Sequence, residues 1–279
     1  TGPNAGTSTD YTIYMENIPS NQLENWATIQ AVRFANPVLR LFHTELETVY
    51  EEKNMSLTND GRKASETLLK GLFLNHPYGQ QTTLGEAEHL KNPSMKNIRE
   101  FYAKYYVPNN MAVVMAGDFD PDVAIRIIDS NFGSLKPGNV PPLVYQPEEP
   151  FTQPKGYEVV GLEAENVLIG YRFRGANSPE NDMLDLISAI LYNGRAGLID
   201  LNINKKQLTL GCQAFNRAMA DYSILQLSGR SKKGQSLEEV RNLLLQQLEL
   251  LKKGDFPDWI LQAAVNNVKL RQMSQLESA

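Results

Sequence analysis

Val38-Leu39-Arg40-Leu41-Phe42-His43-Thr44-Glu45-Leu46-Glu47-Thr48-Val49-Tyr50-Glu51-Glu52 holds four glutamates in fifteen residues. The spacing predicts a helix over residues 38–53. At about 3.6 residues per turn, Val38, Leu41, Phe42, Glu45, Val49 and Glu52 fall on one stripe. Arg40, Thr44, Glu47 and Glu51 fall on the opposite side. Glu47 and Glu51 read as solvated charges. Glu45 and Glu52 lie on the apolar stripe, roughly 10 Å apart along the axis. A carboxylate turned toward a core costs on the order of several kcal/mol unless it is paired, hydrogen-bonded or metal-bound. Two readings stay open. Either the stripe meets a wet cleft or buried Arg or Lys partners, or it is a catalytic or metal-binding face. Glutamate is a good third ligand for zinc beside two histidines.

The rest of the composition narrows the choice. The chain has 279 residues, which at ~150 residues per domain means about two domains. Hydrophobic residues make up 42% and charged residues 21%, the balance of a globular chain rather than a disordered one. A net charge of -5, with scattered lysines and arginines, argues against a dedicated nucleic-acid binder. The single Cys212 excludes an intrachain disulfide framework and a multi-cysteine zinc site. The three histidines, His43, His76 and His89, have no i, i+3 or i, i+4 spacing, so the chain offers at most a partial metal site. No stretch reaches the ~18 apolar residues of a membrane span. Neither end carries a start or stop signal, which predicts a segment of a longer protein.

Along the chain, strands are expected at residues 11–15, 111–116, 167–173, 207–215 and 222–228. Helices are expected after the Asn21 cap with Glu24, at 64–73, after Ser94, after Asp120-Pro121, after Ser178-Pro179, after the Ser236/Glu239 capping box, and from residue 259 onward. Pro137, Pro141, Pro142, Pro147, Pro150 and Pro154 mark an extended connector. Strands mixed with helical pairs predict an α+β architecture in each half. Domains are expected at 1–140 and 156–279, with a linker at 141–155. His43 reads as a flank position, His76 as packed or hydrogen-bonded, His89 as a surface residue and Cys212 as a packed thiol.

The spacing Glu45-x-x-x-Val49-x-x-Glu52 resembles the glutamate helix of the pitrilysin/insulinase-type zinc peptidases, the inverzincins. Other pieces resemble that family in the same order. They are Asn4-Ala5-Gly6-Thr7, His76-Pro77-Tyr78-Gly79, Pro108-Asn109-Asn110-Met111, Ala116-Gly117-Asp118 and Gly194-Arg195-Ala196-Gly197-Leu198. Gly6 stands where the family usually has an aromatic residue. The family's His-x-x-Glu-His motif, which supplies two zinc ligands and the general base, does not occur in this sequence.

The resemblance implies two related domains, each a mainly antiparallel sheet packed with helices in the metallopeptidase LuxS/MPP-like manner, both truncated. It implies a zinc-dependent endopeptidase acting on extended or unfolded peptides. Glu52 matches the third Zn²⁺ ligand and Glu45 a supporting carboxylate. Asn4 and Ala5 match an edge strand that pairs with the substrate backbone. The first domain is then the later part of the metal-bearing domain, and the second a non-catalytic companion. By the same resemblance, the partners are a peptide or unfolded protein, an upstream segment carrying the histidines, and a second half of the same protein or a partner subunit. This segment alone is expected to be inactive. A catalytically inactive scaffold is the competing expectation. The compartment leans toward the periplasm.

Overall fold

The structure, a computed structural model, describes residues 2–277. It is an α+β protein. Residues up to 56 together with 81–146 form one compact unit, and 57–80 together with 147 onward form a second.

In the first unit, β1 (Asn4–Thr7) and β2 (Thr12–Met15) make an antiparallel hairpin with Ala5 opposite Tyr14. The Ser8 N–H closes the turn on the Tyr11 carbonyl. Helix α1 (Leu23–Ala35) follows a short 3-10 turn at Ser20–Gln22, so Asn21 lies inside that turn and does not cap the helix. Helix α2 spans Phe42–Leu57. The sequence places its start at residue 38. The structure starts it later because Leu41 has a φ of 58°, in the left-handed region that a leucine rarely occupies. Further along come α3 (Asp60–Leu72) and α4 (Pro77–Gln80), which belong to the second unit, and then α5 (Ala87–Lys91). The first unit continues with α6 (Met95–Tyr105) and α7 (Pro121–Phe132). Ser94 and Asp120 cap them by accepting the N–H groups of Asn97 and Val123, as their sequence positions imply. Helices α1 and α7 pack together, and the Thr28 hydroxyl donates to the Asn131 side chain across them.

Residues 111–116 are not a strand. They run without a ladder, and Val114 is highly exposed. An apolar run becomes a strand only beside a partner that satisfies its N–H and C=O groups, and no strand pairs with it among the described residues.

The second unit holds the larger core. Strands β3 (Asn166–Arg174), β4 (Gly211–Ala218) and β5 (Tyr222–Arg230) form an antiparallel sheet in the order β3-β5-β4. Residues 207–210, expected in the strand, form a turn before it. Helix α8 covers Glu180–Leu191, α9 Leu237–Lys253 and α10 Asp258–Glu277. Ser236 and Glu239 make both bonds of the capping box, and Gly254 ends α9 in the left-handed conformation.

Strand β5 is buried on both faces. Leu225 and Leu227 join Leu184, Leu191, Val240, Leu244 and Ile260 in the main core. Ile224, pointing the other way, packs with Leu72, Phe73, Tyr78 and Met219. Helix α3 approaches β3 so closely that a Cβ on Gly170 would stand 2.9 Å from a Leu72 methyl. That packing makes 57–80 part of the second unit.

Candidate metal-ligand helix and substrate-pairing strand

The hairpin is fixed to the first unit through its second strand. The Tyr14 ring packs edge-on against Phe34 of α1 at 5.4 Å, and its hydroxyl bonds the Tyr106 hydroxyl at 2.9 Å. Burial, then that hydrogen bond, push the Tyr14 phenol above its ordinary value. One residue beyond β2, the Glu16 carboxylate accepts Trp26 Nε1–H at 2.6 Å and Gln30 Nε2–H at 2.7 Å, and pairs with Arg33 at 3.3 Å. Three α1 side chains thus converge on one carboxylate.

With β2 held through Tyr14, each strand of this two-stranded sheet keeps an unpaired outer edge among the described residues, that of β1 included. Asn4, Ala5 and Thr7 are exposed. The Asn4 side-chain oxygen accepts the Ala5 N–H at 2.9 Å. An unpaired edge accepts a further strand through main-chain bonds that tolerate varied side chains.

Glu45 and Glu52 stand seven residues apart on α2, about two turns and ~10 Å along the axis, on one face. Both are exposed, and neither makes an ion pair among the described residues. The buried salt-bridge reading of the stripe therefore fails. Of its apolar members, Val38 and Leu41 lie outside the helix and are exposed, while Phe42 and Val49 are half-buried. The residues α2 buries are polar, Lys53 and Ser56. Lys53 is 4% exposed, with its ammonium 3.4 Å from the Thr82 hydroxyl. Periodicity gave no signal for it, because a lysine stem can lie along apolar surface.

The histidines do not join these carboxylates. His43 and His89 are exposed. His76 is 0% exposed, inside an aromatic group of Phe73, Tyr78 and Tyr222. The Tyr78 N–H donates to its Nδ1 at 3.2 Å. Nδ1 therefore carries no proton, and Nε2–H donates to Asp221 at 3.1 Å. Both ring nitrogens are committed to protein partners, as expected of a packed, hydrogen-bonded histidine. Among the described residues, no three His, Cys, Asp or Glu side chains come together to hold a metal ion. The described residues by themselves therefore do not make up a zinc site. Cys212 is buried beside the Thr209 hydroxyl, and burial pushes its thiol up.

Two sites escaped the sequence. Asp60, at the start of α3, accepts the Lys63 ammonium at 2.8 Å and the N–H groups of Leu162 and Glu163. Those bonds, the Lys63 bond foremost, hold its carboxyl down at about 2. Arg172 of β3 pairs with Glu148 in the interior of the second unit. The Arg172–Glu148 pair joins residues 24 positions apart, and the Leu162 and Glu163 bonds to Asp60 reach 102 and 103 positions, a range that local pattern does not reach.

A family model described as the peptidase M16 inactive domain matches residues 94–268. The chain is 25% identical to the zinc protease PqqE of Helicobacter pylori, over 99% of its own length and 64% of that protein. It therefore spans just under two thirds of this relative. Its fold is similar to that of a protease from Helicobacter pylori, with a TM-score of 0.83 and 23% identity, covering 99% of this chain and 69% of that one. It is also similar to the first half of the periplasmic protease PqqL from Escherichia coli, with a TM-score of 0.66 and 17% identity, covering 99% and 60%.

Proposed function

The chain belongs to the peptidase M16 family, and we propose that it works within a zinc-dependent endopeptidase that cleaves extended or unfolded peptides. Glu52 is the carboxylate this chain brings to Zn²⁺, and Glu45, two turns earlier, supports the site by orienting ligands and balancing charge. The two histidine ligands and the general base come from a His-x-x-Glu-His motif that this sequence does not contain. Asn4 and Ala5 lie on the strand that pairs with the substrate backbone. A peptide entering there displaces the Asn4 side chain from the Ala5 N–H and gains that donor. Residues 1–140 are the later part of the metal-bearing domain, and residues 156–279 are its companion. The working enzyme has its upstream segment and a second half or partner subunit around the substrate. The name of the periplasmic relative supports a periplasmic site of action.

The observation that carries this reading is α2. Glu45 and Glu52, both exposed and without an ion pair among the described residues, share one face of this helix at the spacing that resembles the family's glutamate helix. A second reading is a non-catalytic scaffold, favoured by the description of the matched family model as an inactive domain. The full-length protein decides between them in a peptide-cleavage assay with Glu52→Gln and, as control, Glu51→Gln on the opposite face. The peptidase reading expects cleavage by the wild type and Glu51→Gln and its loss in Glu52→Gln. Absence of cleavage in zinc-loaded wild type supports the scaffold.

A further inference from the structure

Residues 147–153 form neither helix nor strand, so the order of their backbone rests on side-chain partners. Those partners converge on Arg172. Its guanidinium donates through Nη1 to the Leu72 carbonyl and through Nη2 to the Glu149 carbonyl at 2.6 Å, and lies 3.5 Å from the Glu148 carboxylate. Its flat faces are enclosed by the rings of Phe151 at 4.9 Å, Tyr222 at 5.7 Å and Phe73 at 5.9 Å. The two charged side chains are only 9% and 2% exposed.

Glu148 extends the junction. Its carboxylate accepts the Asn75 N–H at 2.6 Å and the His76 N–H at 2.8 Å, while its own N–H donates to the Tyr222 hydroxyl at 3.2 Å. The Asn75 side-chain amide donates to the Pro147 carbonyl at 3.3 Å. Beside this junction is a cleft of about 240 Å³, lined by Leu74, Asn75, Arg172 and the segment from Glu148 onward.

A buried ion pair gives little net stability over apolar side chains of the same volume, because desolvation offsets the attraction. The pair instead defines a geometry. Its planar fork of five donors holds the Leu72 carbonyl of one segment and the Glu148 and Glu149 oxygens of another in fixed directions, which the compact point charge of an ammonium does not do. We propose that residues 147–151 are a strap forming one wall of this cleft and that the Arg172–Glu148 pair is its buckle. Closed, the buckle joins the strap, the 72–76 turn and β3 into one cooperative element. Open, it releases strap and turn together and widens the cleft whose wall they form.

The test is backbone amide exchange in the whole chain, followed at Glu148, Asn75 and His76. Arg172→Met keeps the bulk and removes the fork. It is expected to speed exchange at all three amides together, by about tenfold or more, the loss of one charge-assisted hydrogen bond. The β5 amides of Leu225 and Leu227 stay as protected as in the wild type. Arg172→Lys, which keeps the charge, moves the three amides in the same direction. Unchanged exchange, or faster exchange at the strap without the turn, in a folded Arg172→Met chain overturns the proposal. Should that variant fail to fold, Phe151→Ala removes only the ring over the guanidinium. A smaller but common rise at the three amides then supports the buckle, and its absence overturns it.

Discussion

Replacing His76 by alanine separates a packed histidine from a metal-binding one. The change deletes the acceptor of the Tyr78 N–H, the donor to Asp221 and the ring contacts with Phe73, Tyr78 and Tyr222. A buried donor left without its partner costs about 1–3 kcal/mol. The bond to Asp221 contributes near the low end of the charge-assisted range of about 1.5–3 kcal/mol, because that carboxylate is partly open to water and regains solvation. Truncating a fully buried ring costs about 3–5 kcal/mol in all, with these terms overlapping inside it. With a urea slope near ~2 kcal/mol/M, the midpoint of the second unit falls by about 1.5–2.5 M. His76→Asn, whose side-chain oxygen can take over the Tyr78 N–H, is expected to lose about half as much. The assay is urea unfolding followed by circular dichroism, with metal content measured in parallel. An unchanged midpoint in His76→Ala, accompanied by lost metal, would refute the packing argument.

Three further outcomes follow from the same structure. The Asp60 carboxyl is held at about 2 against an ordinary 3.8, so the unfolded chain binds this proton more tightly. Its stabilisation is present above 3.8 and disappears as the pH falls from there through about 2. Asp60→Asn should flatten thermal midpoints measured across that window, and an unchanged slope contradicts the assignment. Gly229→Ala puts a methyl 2.6 Å from Val240 and 2.8 Å from the Cys212 sulfur, overpacking β5 against α9 at a cost of about 1–3 kcal/mol by denaturant titration. The Cys212 thiol, buried and pushed up, should react slowly with a disulfide reagent in the native chain and quickly once unfolded.

Local chemistry made part of the fold legible. Ser94, Asp120 and the Ser236/Glu239 box mark helix starts because a cap needs only its own neighbours. The strand core around residues 167–173 and 222–228 was legible as a short apolar run for the same reason. What failed was non-local. Residues 111–116 have strand composition but no ladder beside them. The placement of 57–80 depends on Ile224, Met219 and Gly170, far along the chain. The helical wheel correctly grouped Glu45 with Glu52. It failed for Val38 and Leu41, because the positive φ at Leu41 delays the helix and leaves both outside it. The face reads as apolar on paper; in the structure its glutamates are exposed and only Phe42 and Val49 are half-buried. The Arg172–Glu148 pair gave no periodic signal, since neither residue differs from an ordinary surface charge until the fold brings them together.

The central claim, that Glu52 is this chain's zinc ligand, is tested most directly by metal analysis of the full-length protein after dialysis against buffered zinc. Wild type, Glu51→Gln and Glu52→Gln are compared at equal protein concentration, each shown to be folded by circular dichroism. The expected result is one zinc per chain in wild type and Glu51→Gln, and retention weakened by about tenfold or more in Glu52→Gln. Full zinc retention in folded Glu52→Gln contradicts the assignment.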